Sequence, residues 1–121
     1  MKALVERYFA AVNDEDWDSL AAVFDPEVEI HTTGARPAIG RDAAVAHLRS
    51  VLEPFAEHRD LVVRWIDAGA TIVCEIAFDG RLRDGRAVEF EALDVFDGDD
   101  RAITRIGTWY DTREVVRQIR G

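Results

Sequence analysis

Apolar residues recur every three to four positions in the first half of the chain and every second position in most of the second half. Leu4, Val5, Tyr8, Phe9 and Val12 fall on one side of a helix over residues 3–13, with Glu6 and Arg7 on the other. The acidic break Asn13-Asp14-Glu15-Asp16 ends it. Asp16 is a good N-cap for a second helix carrying Trp17, Leu20, Ala21 and Phe24. Asp25-Pro26 stops that helix, because proline has no N–H to donate and restricts the residue before it. Val28-Glu29-Ile30-His31-Thr32 alternates as a short strand. Residues 33–40, with two glycines and a proline, form a loop able to cover a site. A third helical stripe, Ala44, Val45, Leu48, Val51, Leu52 and Phe55, runs from 41 to about 57, with Pro54 in its last turn. After Arg59-Asp60 the period becomes two. Strands are expected at 61–66, 71–82, 86–96 and 102–110, with Asp84-Gly85 as a hairpin turn and Asp97-Gly98-Asp99-Asp100 joining the last pair. Val115, Val116 and Ile119 give a short terminal helix over 111–119.

Three helices followed by antiparallel strands predict an α+β fold with the helices on one face of the sheet. Straight alternation leaves Val62, Ile66, Val73, Leu93, Val95 and Ile106 on the other face. A sheet face this apolar is rarely left wet, so a homodimer across the outer face is expected.

Composition narrows the function classes. The 121 residues form one domain, 1–121, and 48% hydrophobic with 32% charged residues is a globular composition. The net charge of −9 opposes binding to nucleic acid and to anionic membranes. No run approaches the ~20 apolar residues of a membrane span. Charge enters at Lys2, Glu6 and Arg7, too early for a signal peptide, which points to the cytoplasm. The single cysteine, Cys74, alternates with Ile72, Ile76 and Phe78 and reads as a core residue. The three histidines lack ligand spacing. The Asp97–Asp100 turn lacks the bidentate glutamate of a calcium loop, Thr108 standing in its place, and no metal is expected.

Candidate chemistry centres on Asp94. It is in phase with Val88, Phe90, Ala92 and Phe96, whereas Glu89 and Glu91 are out of phase. A carboxylate on an apolar face is costly unless it is paired, hydrogen-bonded or protonated. Protonated, it donates to an oxyanion; ionised, it abstracts a proton. Tyr8 lies on the first helix's apolar stripe, as a packing residue or as a hydroxyl donor. His31 has a suitable pKa for a base, but alternation places it with Glu29 rather than with Ile30 and Thr32. His47 lies near the edge of the third helix's stripe, within reach of a pocket mouth, and His58 is expected at a helix end.

Taken together, Tyr8-Phe9-Ala10-Ala11-Val12-Asn13, Asp16-Trp17-Asp18-Ser19-Leu20 running to Phe24, Gly40-Arg41-Asp42-Ala43-Ala44-Val45 and Ile103-Thr104-Arg105-Ile106 ending at Trp109-Tyr110-Asp111 resemble the nuclear transport factor two-like superfamily. The likeness is to its SnoaL-like and ketosteroid-isomerase-like branch. The resemblance implies a cone-shaped curved antiparallel sheet wrapped around three N-terminal helices, a cystatin-like α+β barrel with a deep apolar pocket, and dimers through the convex face. By resemblance Tyr8 matches an oxyanion donor and Asp94 a second, protonated donor, while the general-base position falls at Thr32. Ala92 stands where an epoxide-hydrolase pattern has arginine. Thr32, Trp109, Phe90, Phe96, Ala92, Gly107, Trp17 and Ile30 are the implied pocket lining. The implied activity is proton-transfer chemistry (isomerisation, cyclisation or dehydration) on a hydrophobic carbonyl or polyketide-like molecule, with no cofactor. The alternative is a binding or dimerisation module of the same fold, without turnover.

Overall fold

In the computed structural model, which describes residues 1–121, the elements run α1 (Lys2–Asp14), α2 (Trp17–Val23), β1 (Phe24–Thr32), β2 (Ala38–Ile39), α3 (Arg41–Leu52), β3 (Phe55–Asp67), β4 (Thr71–Leu82), β5 (Ala87–Gly98), β6 (Ile103–Tyr110) and α4 (Thr112–Arg120). Helix α1 stops where Glu15 turns left-handed, φ 52°, and its N–H closes on the Ala11 and Val12 carbonyls. Asp16 then caps α2 by accepting from the Ser19 N–H at 3.1 Å. Asp111 caps α4 in the same way, accepting from the Glu114 N–H at 3.0 Å. Two helices end sooner than their apolar stripes suggest. Phe24 is already extended and opens β1. Helix α3 ends at Leu52, two residues before Pro54, and Phe55 opens β3 rather than closing the helix. His58 accordingly lies in β3, with Nε2 3.0 Å from Glu15 Oε2, and not at a helix end.

The six strands form one unclosed sheet in the order β2-β1-β6-β5-β4-β3. Every pairing is antiparallel except β1 with β6, which is parallel, so the sheet is mixed rather than wholly antiparallel. Pro26 lies in the stretch where the β1–β6 register breaks, between Phe24 and Glu29; it has no N–H for the ladder. The core lies between the helices and the inner sheet face. Leu4, Val5 and Phe9 of α1 and Leu20 of α2 are buried with Ile72, Cys74, Phe96 and Ile103 of the sheet. Each such aliphatic or aromatic side chain contributes about 1.5–3 kcal/mol by leaving water.

Three bulges decide which residues face inward, the first in β3 where Phe55 pairs with Leu82 and Glu57 with Arg81, so that Ala56 is an extra residue. In β3, Val62 pairs with Ile76 and Arg64 with Glu75, so Val63 is an extra residue. In β6, Ile103 pairs with Gly98 and Arg105 with Asp97, so Thr104 is extra. Each bulge reverses the alternation on one side of it. Val62 therefore packs toward the core and Ile106 is buried, whereas straight alternation puts both on the outer face. The exposed apolar residues of the outer sheet face are Leu61, Val63, Ile66, Leu93 and Trp109. No helix is long and apolar enough to cross a membrane.

Candidate functional site

Between α1, α3, α4 and the inner sheet face lies a cavity of about 250 Å³. Its walls are mostly apolar. Phe78 of β4 stacks on Phe90 of β5, its direct register partner, with centroids 4.7 Å apart. Phe55 meets Phe78 edge-on at 5.1 Å, and Tyr110 of β6 lies 5.5 Å from Phe90. This aromatic band crosses four strands. Gly80 makes it possible, because a Cβ there would stand 2.8 Å from Phe55 Cδ1 and 2.9 Å from Phe78 Cε1. Leu48, Val51 and Leu52 of α3 and Val115 and Ile119 of α4 close the other sides.

The polar groups of the cavity are few. Asp94, only 5% exposed, is the one charged residue of the buried core. Its Oδ1 accepts from the Thr108 hydroxyl at 2.7 Å, across the β5–β6 register pair that places the two residues opposite each other. Burial pushes the Asp94 carboxyl up to about 7; the Thr108 hydrogen bond opposes this and the nearby Asp60 charge adds to it. Tyr8, 4% exposed, is held edge-on by Phe9 and Phe96 with centroids 5.1 Å from each. Its hydroxyl makes no hydrogen bond within the protein, and no fully buried side-chain polar atom lacks a partner, so the hydroxyl keeps access to the cavity. Burial first, then the Asp94 and Asp60 charges, hold its pKa well above the ordinary value. Tyr8 therefore stays a protonated donor.

Asp60 also lines the cavity, and burial pushes its carboxyl up to about 6 against the pull of His58. Its backbone is fixed by Asn13 at the end of α1: the Asp60 N–H donates to Asn13 Oδ1 at 2.8 Å, and Asn13 Nδ2 donates to the Asp60 carbonyl at 3.0 Å. At the α3 wall, Thr32 Oγ1 and His47 Nε2 share a hydrogen bond of 3.0 Å. Burial lowers the His47 pKa, favouring the neutral ring.

Of the residues expected from the sequence, the structure brings Asp94, Tyr8, Thr32, His47, Phe90 and Ala92 around this one cavity. It places the others elsewhere. Trp109, expected to face the pocket, is 58% exposed on the outer face, because the β6 bulge puts it out of phase with Ile103. Gly107 points the same way; a Cβ there would meet Arg105 Nη1 and Trp109 Nε1. Phe96 and Ile30 are buried in the core and do not line the cavity. Trp17 is half-buried on α2, with the Arg49 guanidinium 5.9 Å from its ring centre. His31 turns away from the cavity, with Nε2 2.9 Å from Glu29 Oε1. Cys74 is fully buried and its thiol is pushed up to about 12, chiefly by burial, so it is no nucleophile.

Sequence reasoning missed Asp60, Thr108 and Tyr110. The phase Asp60–Val62 was the available signal for the first, but the bulge at Val63 hid it by letting Trp65 share the inner face with Val62. The other two were lost with the phase of β6.

A second hollow, about 410 Å³, lies on the outer face among Val63, Glu75, Leu93, Glu91 and Trp109. It is more open than the inner cavity, and its lining offers no converging donors.

The SnoaL-like domain model matches residues 5–106. Solved structures share the fold over nearly the whole chain. A nuclear transport factor two-like protein of unknown function from Burkholderia pseudomallei is 20% identical, with 99% of this chain and 97% of that one covered and a TM-score of 0.89. IdmH of Streptomyces antibioticus, a candidate polyketide cyclase, is 17% identical, with 99% and 98% covered and a TM-score of 0.85. An epoxide hydrolase of the LEH-like type from M. tuberculosis is 22% identical, with 98% and 89% covered and a TM-score of 0.82. Among curated proteins none matches the sequence. Likeness at these identities carries the fold and leaves the reaction open. With the family model spanning most of its length, the chain belongs to the SnoaL-like domain family.

Proposed function

We propose that the protein is a proton-transfer enzyme, an isomerase, cyclase or dehydratase, acting on a small hydrophobic carbonyl or polyketide-like molecule. The observation that carries this reading is the buried Asp94 carboxyl. It opens on an apolar cavity beside the unpartnered Tyr8 hydroxyl, and burial pushes it up to about 7. In its protonated form Asp94 is a donor, and Tyr8 is a second. Two donors aimed into a dry cavity stabilise a carbonyl oxygen more strongly as it gains negative charge than in the ground state. The family supports a small-molecule ligand, and IdmH and its like lend the polyketide-type substrate class. The aromatic band gives a flat substrate a surface to lie on.

A binding module without turnover is the second reading. Thr32, which stands at the expected base position and is hydrogen-bonded to His47, favours it. A phenolate mimic tests the donor pair. 2-Naphthol, followed by its fluorescence, is expected to bind, and Tyr8→Phe and Asp94→Leu are each expected to weaken it roughly 10- to 100-fold, the range for a hydrogen bond to a charged group. Unchanged affinity in both variants contradicts the donor reading.

A further inference from the structure

Proton transfer needs a base as well as donors, and Thr32 cannot supply one. Asp60 is the remaining carboxylate on the cavity wall, and its side chain makes no hydrogen bond or ion pair within the protein. The reciprocal Asn13 bonds are to its backbone only, so they fix the residue while leaving the carboxylate free to meet a ligand. His47, the other basic group on the wall, has its Nε2 engaged by Thr32. From the geometry we infer that Asp60 is the general base of this site, working in the same cavity as the Asp94–Tyr8 donor pair. This rests on the donor reading above and extends it.

The division of labour follows from the two environments. The Asp60 charge raises the cost of ionising Asp94, and like charges in one cavity lose their protons in two steps. Asp60 has His58 of its own strand nearby and the lower value, about 6; Asp94 is the more deeply buried and the higher, about 7. In this proposal Asp60, beside His58, carries the charge and Asp94, hydrogen-bonded to Thr108 and the more deeply buried, keeps the proton, the combination a base-and-donor site needs. The other titratable groups facing this pair are Tyr8 of α1, His47 of α3, Cys74 of β4 and Tyr110 of β6; burial keeps Tyr8 and Cys74 protonated and favours the neutral His47 ring.

The step balances without a further reactant. The Asp60 carboxylate takes a proton from the carbon next to the substrate carbonyl. The C–H electron pair becomes a carbon–carbon double bond, and the carbonyl π pair moves onto oxygen. The resulting enolate oxygen accepts hydrogen bonds from Asp94 and Tyr8. Asp60, now protonated, returns its proton to carbon, at the same position or at a conjugated one, and the enolate collapses to the carbonyl.

The test is enzyme-catalysed deuterium exchange at the α-carbon of 2-tetralone in deuterium oxide, read by NMR. It is run beside 2-naphthol binding on the same full-length preparations. Wild type is expected to exchange above the buffer rate, and Asp60→Asn to lose 10²- to 10⁴-fold. Formate added to Asp60→Ala is expected to restore exchange, a response that a merely structural role does not give. It also covers the case in which the asparagine variant fails to fold. The wild-type rate is expected to rise through pH 6 and fall above pH 7. Exchange by Asp60→Asn within threefold of wild type overturns the base while leaving naphthol binding, and the donor pair, intact. Naphthol binding without wild-type exchange overturns it likewise. Absence of both naphthol binding and exchange overturns the donor reading and the base together.

Discussion

At the scale of the residue, the burial of Asp94 has a consequence for stability that is independent of any substrate. The folded carboxyl holds its proton up to about pH 7, whereas the ordinary value is 3.8. The native state therefore binds more protons than the unfolded chain between these values, and stability falls as pH rises through that window. Below about pH 4 both states are protonated and there is no penalty; above about pH 7 the penalty is complete. At ~1.4 kcal/mol per unit it amounts to roughly 4 kcal/mol at most. Asp94→Asn keeps an oxygen for the Thr108 hydroxyl and removes the charge. It is expected to match wild type in urea melts at pH 4 and to exceed it by roughly 2–4 kcal/mol at pH 8. Equal stability of the two proteins at pH 8 contradicts a dry Asp94 site. The sequence carried this residue plainly, because β5 has no bulge across Phe90, Ala92, Asp94 and Phe96. Asp60 was not legible, since it lies between bulges at Ala56 and Val63 that no residue type around them announces.

At the scale of the element, long strands with unbroken pairing were readable and bulged ones were not. The bounds expected for β4 match those observed, and β5 and β6 differ by one or two residues at their ends. Alternation also assigned the faces of β4 correctly, where every second residue from Ile72 to Leu82 is buried. In β6 the same reasoning failed, and Trp109 and Gly107 were assigned inward while Thr108 and Tyr110 occupy that face. A tryptophan flanked by polar residues looks like a buried anchor; here one extra residue upstream turns it out. The terminal helix was legible from Val115, Val116 and Ile119, but its role was not. Helix α4 is tied to β5 by Gln118, whose Nε2 donates to the Glu89 carbonyl at 2.7 Å and whose Oε1 accepts the Glu89 N–H at 2.8 Å. Val115 and Ile119 thereby become a wall of the cavity. Gln118→Ala is expected to speed hydrogen exchange of the Glu89 amide about tenfold and to weaken 2-naphthol binding, with a loss of ~1 kcal/mol in stability. Unchanged exchange at Glu89 shows that the clamp does not hold the helix.

At the scale of the whole molecule, the outer sheet face is the feature left without a partner. Leu61, Val63, Ile66, Leu93 and Trp109 are each 41–59% exposed on it. We propose that a second copy covers this face, as the resemblance implied from the sequence. The expected species is a dimer by sedimentation at micromolar concentration, and Leu93→Arg is expected to give a folded monomer, because a charge at the centre of an apolar interface loses its water without gaining a partner. A monomeric wild type removes the proposal. The bulges tie this scale to the smallest: by moving Val63 and Trp109 outward, they supply the apolar face as they bring Asp60 and Thr108 to the cavity. The mixed sheet was the part of the architecture that local sequence could not supply, since the β1–β6 pairing joins segments some 75 residues apart.

The most direct test of the central claim is the titration of the Asp94 carboxyl carbon by NMR, assigned by its loss in Asp94→Asn. A midpoint near 7 agrees with a dry cavity holding a protonated donor at neutral pH. A midpoint near the ordinary 3.8 means a hydrated or ionised carboxylate throughout the working range, and contradicts the account of this site as an oxyanion-stabilising pocket.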